Sequence, residues 1–194
     1  MEHWRSYLRG RVLEAFGAHD AAIAVYREAL AVAPSFARAA SRAAYLLALQ
    51  ERFGEAEPLF RRTIEADPGS AAAHFNFGFN LDKHGRHLEA IAQFREAARL
   101  RPGLDRAWYG LGMAHAKLGQ HREAVQALEK AAALQPMNPH AWYALGMAHH
   151  TVGDDARVKD VALHLARFDP RMTRRLIQDS GATNLAYLVK DLMV

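Results

Sequence analysis

Five prolines constrain this chain more than any other feature. Pro34, Pro68, Pro102, Pro136 and Pro170 each stand 34 residues after the last, and they are five of the seven prolines present. The text between them repeats in the same register. "AWYGLGMAHAKLG" from Ala107 returns as "AWYALGMAHHTVG" from Ala141. "AAIAVYREALAVAP", "EAIAQFREAARLRP" and "EAVQALEKAAALQP" close three separate repeats. A fixed period of this length marks stacked supersecondary units, none of which can bury its apolar face alone.

The repeats run 3–36, 37–70, 71–104, 105–138 and 139–172. Each predicts a helix of about 14 residues, a turn, a second helix and a proline exit. Gly17, Gly85, Gly119 and Gly153 stand at position 15 of their repeats, where a left-handed helix end favours glycine. Alanine dominates the 51% hydrophobic content and is the best helix former. Repeat two departs from the pattern. Glu51 takes the turn-glycine place, and Pro58 predicts a late start or a kink in its second helix. In repeat five Val158 and Ala162 invert the usual small-then-large order at positions 20 and 24.

The pattern resembles the tetratricopeptide repeat (TPR) family. That family favours Trp, Leu, Gly and Tyr at positions 4, 7, 8 and 11. It favours Gly, Ala, a large apolar residue, Ala and Pro at positions 15, 20, 24, 27 and 32. Repeat four supplies Trp108, Leu111, Gly112, Gly119, Ala124, Leu128, Ala131 and Pro136, and repeat three supplies Phe77, Gly78, Leu81, Gly85, Ala90, Phe94, Ala97 and Pro102. Repeat one keeps Gly10, Leu13, Gly17, Ala22, Tyr26, Ala29 and Pro34, and repeat five begins with Trp142, Leu145, Gly146 and Gly153. The resemblance covers residues 3–172 and implies an all-α fold: a right-handed α-α superhelix, or solenoid, of helix-turn-helix repeats. Residues 173–194 are too few for a sixth repeat. Leu185, Leu188, Val189 and Leu192 there follow an i, i+3, i+4, i+7 pattern, which predicts an amphipathic capping or docking helix.

In this family first helices line a concave groove, with positions 2, 5, 6, 9, 12 and 13 turned inward. Those positions assign a partner-binding surface to Tyr7, Arg38, Arg42, Tyr45, Phe75, Asn76, Phe79, Arg106, Tyr109, Met113, Tyr143 and Met147. Positions 5 and 9 lie one helical turn apart, so Phe75/Phe79, Tyr109/Met113 and Tyr143/Met147 predict an aromatic and methionine stripe. Such residues are enriched at interface cores, and methionine adapts to varied partners. The stretch "HFNFGFN" from His74 therefore reads as a first helix, with Phe77 buried and Phe75, Asn76 and Phe79 on the inner wall. The family variant that clamps a chaperone's C-terminal carboxylate is not expected, because only Asn76 matches its pattern, with Arg106 a near match.

The resemblance implies a scaffold that binds a peptide or helix of another protein, with the basic residues favouring an acidic one. Two alternatives stay open. The stripe or the tail could serve self-association, making a homo-oligomer, or the aromatics could stack single-stranded RNA. A net charge of +4 is modest against the dense basic blocks of nucleic-acid arms. An enzyme is not expected. There is no cysteine, and no serine sits in a strand-turn-helix nucleophile setting. No cofactor is expected, and no metal either. His115 and His149 share position 11, where they replace a packing Tyr. With no apolar leader and no run of about 20 apolar residues, the expected location is cytoplasmic, without a membrane span. A soluble piece of a longer protein would look the same.

Overall fold

The structure is a computed structural model that describes residues 1–192, with side chains described through Val189. The chain forms two compact units, Met1–Arg101 and Pro102–Val194. Every described element is helical, and the architecture is the all-α helical-repeat solenoid class. No described helix is long and apolar enough to cross a membrane.

The N-terminal unit holds α1 (Glu2–Ala15), α2 (His19–Val32), α3 (Ala37–Leu49), α4 (Phe53–Ala66), α5 (Ala71–Lys83) and α6 (His87–Leu100). Consecutive helices pair as hairpins, and α2 packs on α3 and α4 on α5. Three-residue turns join the hairpins. At their centre Gly17 and Gly85 have φ of 75° and 77°, and Glu51 has φ of 59° in the equivalent place. Repeat two therefore keeps the turn without its glycine, at a cost that a Cβ imposes in the left-handed region. The late start expected from Pro58 does not occur. The helix α4 begins at Phe53, in register with its counterparts, and Pro58 stands inside it.

Close packing within each hairpin is set by the small residue at position 8. A Cβ added at Gly78 would lie 2.9 Å from Phe94 Cδ1, and one at Gly10 would lie 2.5 Å from Tyr26 Cε1. Phe94 and Tyr26 are the large residues at position 24, both buried. On the outer side, guanidiniums tie second helices together. Arg27 of α2 bonds Glu55 of α4, and Arg86 before α6 bonds Glu57 of α4.

The C-terminal unit holds α7 (Asp105–Lys117), α8 (His121–Leu134), α9 (Pro139–Thr151), α10 (Asp155–Leu165) and α11 (Pro170–Asp179), followed by a 3-10 segment, Thr183–Leu192. Trp108 and Trp142 donate their indole N–H to the carbonyls of Pro102 and Pro136, both at 2.8 Å. In the N-terminal unit His74, at the same position 4, stands 3.2 Å from the carbonyl of Pro68. Position 4 thus ties α5, α7 and α9 each to the proline turn before it.

The tail differs from the single amphipathic helix that its spacing predicts. Pro170 does not close a repeat but opens α11, where a missing N–H costs nothing. Asp169 caps that helix by accepting from Met172 N at 2.8 Å. The stretch with Leu185, Leu188 and Val189 is 3-10, and Leu185 and Val189 are buried. The side chain of Leu192 and residues 193–194 lie outside the described residues. The helix α11 packs on α9 and α10, and the 3-10 segment packs on α11 and α10.

This arrangement accounts for the inverted sizes in repeat five. Ala162 at position 24 is too small to meet Gly146. Leu176 of α11 fills the space instead: it is fully buried, and a Cβ at Gly146 would lie 2.7 Å from its Cδ1.

Candidate partner-binding surface

In the N-terminal unit the expected inner residues divide by what already holds them. Tyr7 is only 8% exposed. Its ring packs edge-on against Trp4 and Phe36, with centroids at 5.7 and 5.3 Å, so it serves the seating of α1 and offers a partner little area. Arg38 lies over the Trp4 ring, 5.3 Å from the centroid. Arg42 donates to Glu14 Oε1 at 3.0 Å, and Tyr26 donates to Glu14 Oε2 at 2.7 Å. Burial and the bond to Glu14 push the Tyr26 phenol well above its ordinary value, so it stays a donor.

Two aromatics remain open. Tyr45 and Phe79 occupy position 9 on the neighbouring helices α3 and α5, and are 42% and 46% exposed. Lys83 holds its ammonium 5.5 Å from the Phe79 centroid. Phe75 and Asn76 are half-buried beside them, with Phe75 leaning on Phe94 at 5.9 Å. Phe77 turns the other way, stacking on Phe60 in the core at 5.9 Å. The three phenylalanines of "HFNFGFN" therefore do not share one face: Phe77 is turned away from Phe75 and Phe79. This follows from helical geometry, in which alternate residues diverge by about 200°.

In the C-terminal unit the expected residues are more fully engaged. Arg106 is exposed. Tyr109, Met113 and Met147 are half-buried against the apolar cluster built on Leu128, Leu145 and Leu176. Burial raises the Tyr109 phenol. Tyr143 is covered by α11: its hydroxyl donates to Asp179 Oδ2 at 2.6 Å, and Arg175 lies 4.9 Å from its ring centroid. Arg175 also pairs with Asp179 at 3.4 Å. Repeat register could not point to Arg175 and Asp179, because α11 starts three residues before the next repeat would. The undersized Ala162 was the one available sign that a side chain from outside the repeat was needed.

The position-11 histidines pack as replacements for Tyr. His115 Nδ1 bonds Gln120 Oε1 at 2.6 Å. His149 is buried with Nδ1 unpartnered, 3.8 Å from Asp154, and with Nε2 4.0 Å from Glu129. Among the described residues no group of three or more His, Asp or Glu side chains is arranged to hold a metal ion.

Solved structures share this fold. A crystal structure of MamA superposes with a TM-score of 0.79 at 20% identity, covering 93% of this chain and 94% of that one. YrrB, described as a TPR protein with an unusual peptide-binding site, gives 0.78 at 19% identity over 89% and 90%. PilF of Pseudomonas aeruginosa gives 0.74 at 20% identity over 96% and 91%. No curated protein matches by sequence. The family described as "Tetratricopeptide repeat" matches residues 7–71 and 75–124, and that described as "TPR repeat" matches 114–153. The chain belongs to the tetratricopeptide repeat family.

Proposed function

We propose that this protein is a non-catalytic interaction scaffold that binds a peptide or helical segment of another protein on the inner faces of its first helices. The observation that carries this reading is the pair Tyr45 and Phe79. Both are large aromatics left open at equivalent places on neighbouring first helices. Aromatic side chains bring much contact area for little lost freedom and dominate interface energetics. Asn76 beside them can hydrogen-bond an extended backbone, and Arg38 and Lys83 favour acidic residues at the rim. Arg42 contributes less charge, because Glu14 already neutralises it. In the C-terminal unit Arg106, Tyr109, Met113 and Met147 offer a surface of the same chemical kind, with its apolar side chains half-buried. Tyr143 joins it as part of a Tyr143–Arg175–Asp179 group. The peptide-binding site named for YrrB, a protein of like fold, supports the class of function and not the partner.

Affinity purification followed by mass spectrometry identifies the captured protein. Capture by the Tyr45→Ala/Phe79→Ala variant then tests the surface. Both side chains are exposed, so helical circular dichroism is expected to stay unchanged while capture falls at least tenfold, about the loss of two interface anchors. Undiminished capture would reject the surface. Light scattering on the chain alone addresses self-association, and a partner that proves to be a second copy would replace this reading with an oligomeric one.

A further inference from the structure

The leading face of α1 is the same face that later first helices bury. In α3, positions 3, 7 and 10 are Ala39, Ala43 and Leu46, buried where α2 packs. In α5 they are Ala73, Phe77 and Asn80, buried where α4 packs. In α9 they are Ala141, Leu145 and Ala148, buried with α8 residues Leu128 and Ala132 in one cluster. In α1 the same positions are Arg5, Arg9 and Val12, all exposed. Leu8 and Phe16 adjoin them, so Leu8, Val12 and Phe16 form an i, i+4, i+8 stripe that is 59%, 56% and 85% exposed. An exposed run of large apolar residues along one helix is unusual for a surface with no partner.

We propose that this face docks an amphipathic helix of a partner protein, with apolar side chains on Leu8, Val12 and Phe16 and carboxylates against Arg5 and Arg9. A helix is the fitting element, because positions 3, 7 and 10, here Arg5, Arg9 and Val12, receive a helix at α3, α5 and α9. The charge follows from the two substitutions. An apolar second helix of the ordinary kind would cover Arg5 and Arg9 without compensation, which is strongly unfavourable. Neither guanidinium has a carboxylate partner among the described residues, whereas Arg11 leans on Glu14, and Arg27 and Arg52 both bond Glu55. The occupant therefore brings its own acidic groups. Arg5 and Arg9 lie one turn apart, so carboxylates spaced i, i+4 on the incoming helix can meet both.

The test uses the full chain and two labelled synthetic helical peptides that share one apolar stripe. One is flanked by glutamates and the other by lysines, and fluorescence anisotropy reads binding. The glutamate peptide is expected to bind and the lysine peptide to bind at least tenfold more weakly. Arg5→Glu/Arg9→Glu is expected to invert that preference. Val12→Ser should weaken the glutamate peptide with circular dichroism unchanged, since the side chain is exposed. Equal binding of the two peptides, no binding of either, or indifference to Val12→Ser would overturn the proposal. So would self-association abolished by Val12→Ser, which makes the occupant a second copy, or binding of anionic vesicles lost in the arginine variant, which makes it a lipid surface. The Tyr45→Ala/Phe79→Ala variant should bind the glutamate peptide normally, so failure here and failure of the inner-face reading give different results.

Discussion

The helices α5 and α9 carry the same close-packing glycine, yet it is met from different places. At Gly78 the knob is Phe94, sixteen residues on and within the same repeat. At Gly146 it is Leu176, thirty residues on and outside the repeat, because Ala162 leaves the place empty. The difference makes α6 an ordinary member of its hairpin. It makes α11 a structural completion of the last repeat rather than an appended cover. The tail also brings Arg175 and Asp179 onto Tyr143, so one interaction closes the core and alters the neighbouring surface.

Truncating the two knobs should break this comparison most visibly. Phe94→Ala is expected to cost about 3–5 kcal/mol and Leu176→Ala about 2–5 kcal/mol, as for other large buried side chains. Hydrogen exchange should locate the first loss in α5 and α6, and the second in α9, α10 and α11. The sharper form is rescue. Ala162→Leu placed in the Leu176→Ala background returns the knob to its ordinary position, and is expected to recover roughly 1–2 kcal/mol by refilling the cavity. No recovery in thermal unfolding would mean that α11 matters for another reason.

A smaller contrast appears in acid. Burial holds the His149 imidazole below its usual value, against the opposing pull of Asp154 and Glu129 and with Arg157 and Asp160 also facing it. Its folded-state pKa is depressed, so the unfolded chain takes the proton more readily. Stability is then full above about pH 6.5 and declines as pH falls toward the folded value. In the N-terminal unit Glu57 is also depressed: burial pushes it up, but the guanidiniums of Arg61 and Arg86 outweigh that. Its contribution is present above the ordinary glutamate range and is lost only as pH falls through the depressed value. The C-terminal unit should therefore begin to lose protection at higher pH. His149→Leu is expected to flatten its slope as pH falls below about 6.5, the ordinary imidazole value. An unchanged slope would show that another group titrates there.

The smallest expected effect concerns the turn of repeat two. Glu51→Gly removes a Cβ from a residue at φ 59°. It should stabilise the N-terminal unit by up to about 1 kcal/mol, the left-handed cost less glycine's added freedom in the unfolded chain. Gly85→Ala, in the same turn one repeat on, should move stability the other way.

The repeat body was legible in the sequence because its causes are local and recur every 34 residues. Gly85 marks a left-handed turn, and Gly78 with Phe94 marks a close helix crossing. The tail was not legible, for a physical reason. Its apolar spacing at Leu185, Leu188 and Val189 fits an α-helix, but the backbone there is 3-10, and Pro170 reads equally as an exit or as the first residue of a helix. The inner face was legible by position but not by occupancy. Tyr45, Phe79 and Tyr143 all stand at inward positions, and only tertiary packing leaves the first two open while Arg175 covers the third. Arg42 likewise looks available until Glu14, twenty-eight residues earlier, is seen to hold it.

Hydroxyl-radical footprinting of the chain, free and bound to its captured partner, tests the central claim most directly. In the free chain Tyr45 and Phe79 should oxidise quickly and Tyr143 slowly. On binding, oxidation at Tyr45 and Phe79 should fall sharply while exposed residues of the second helices, such as Leu88 and Leu134, stay unchanged. Unaltered oxidation at both Tyr45 and Phe79 in a complex that remains bound would contradict the assignment of this face as the partner-binding surface.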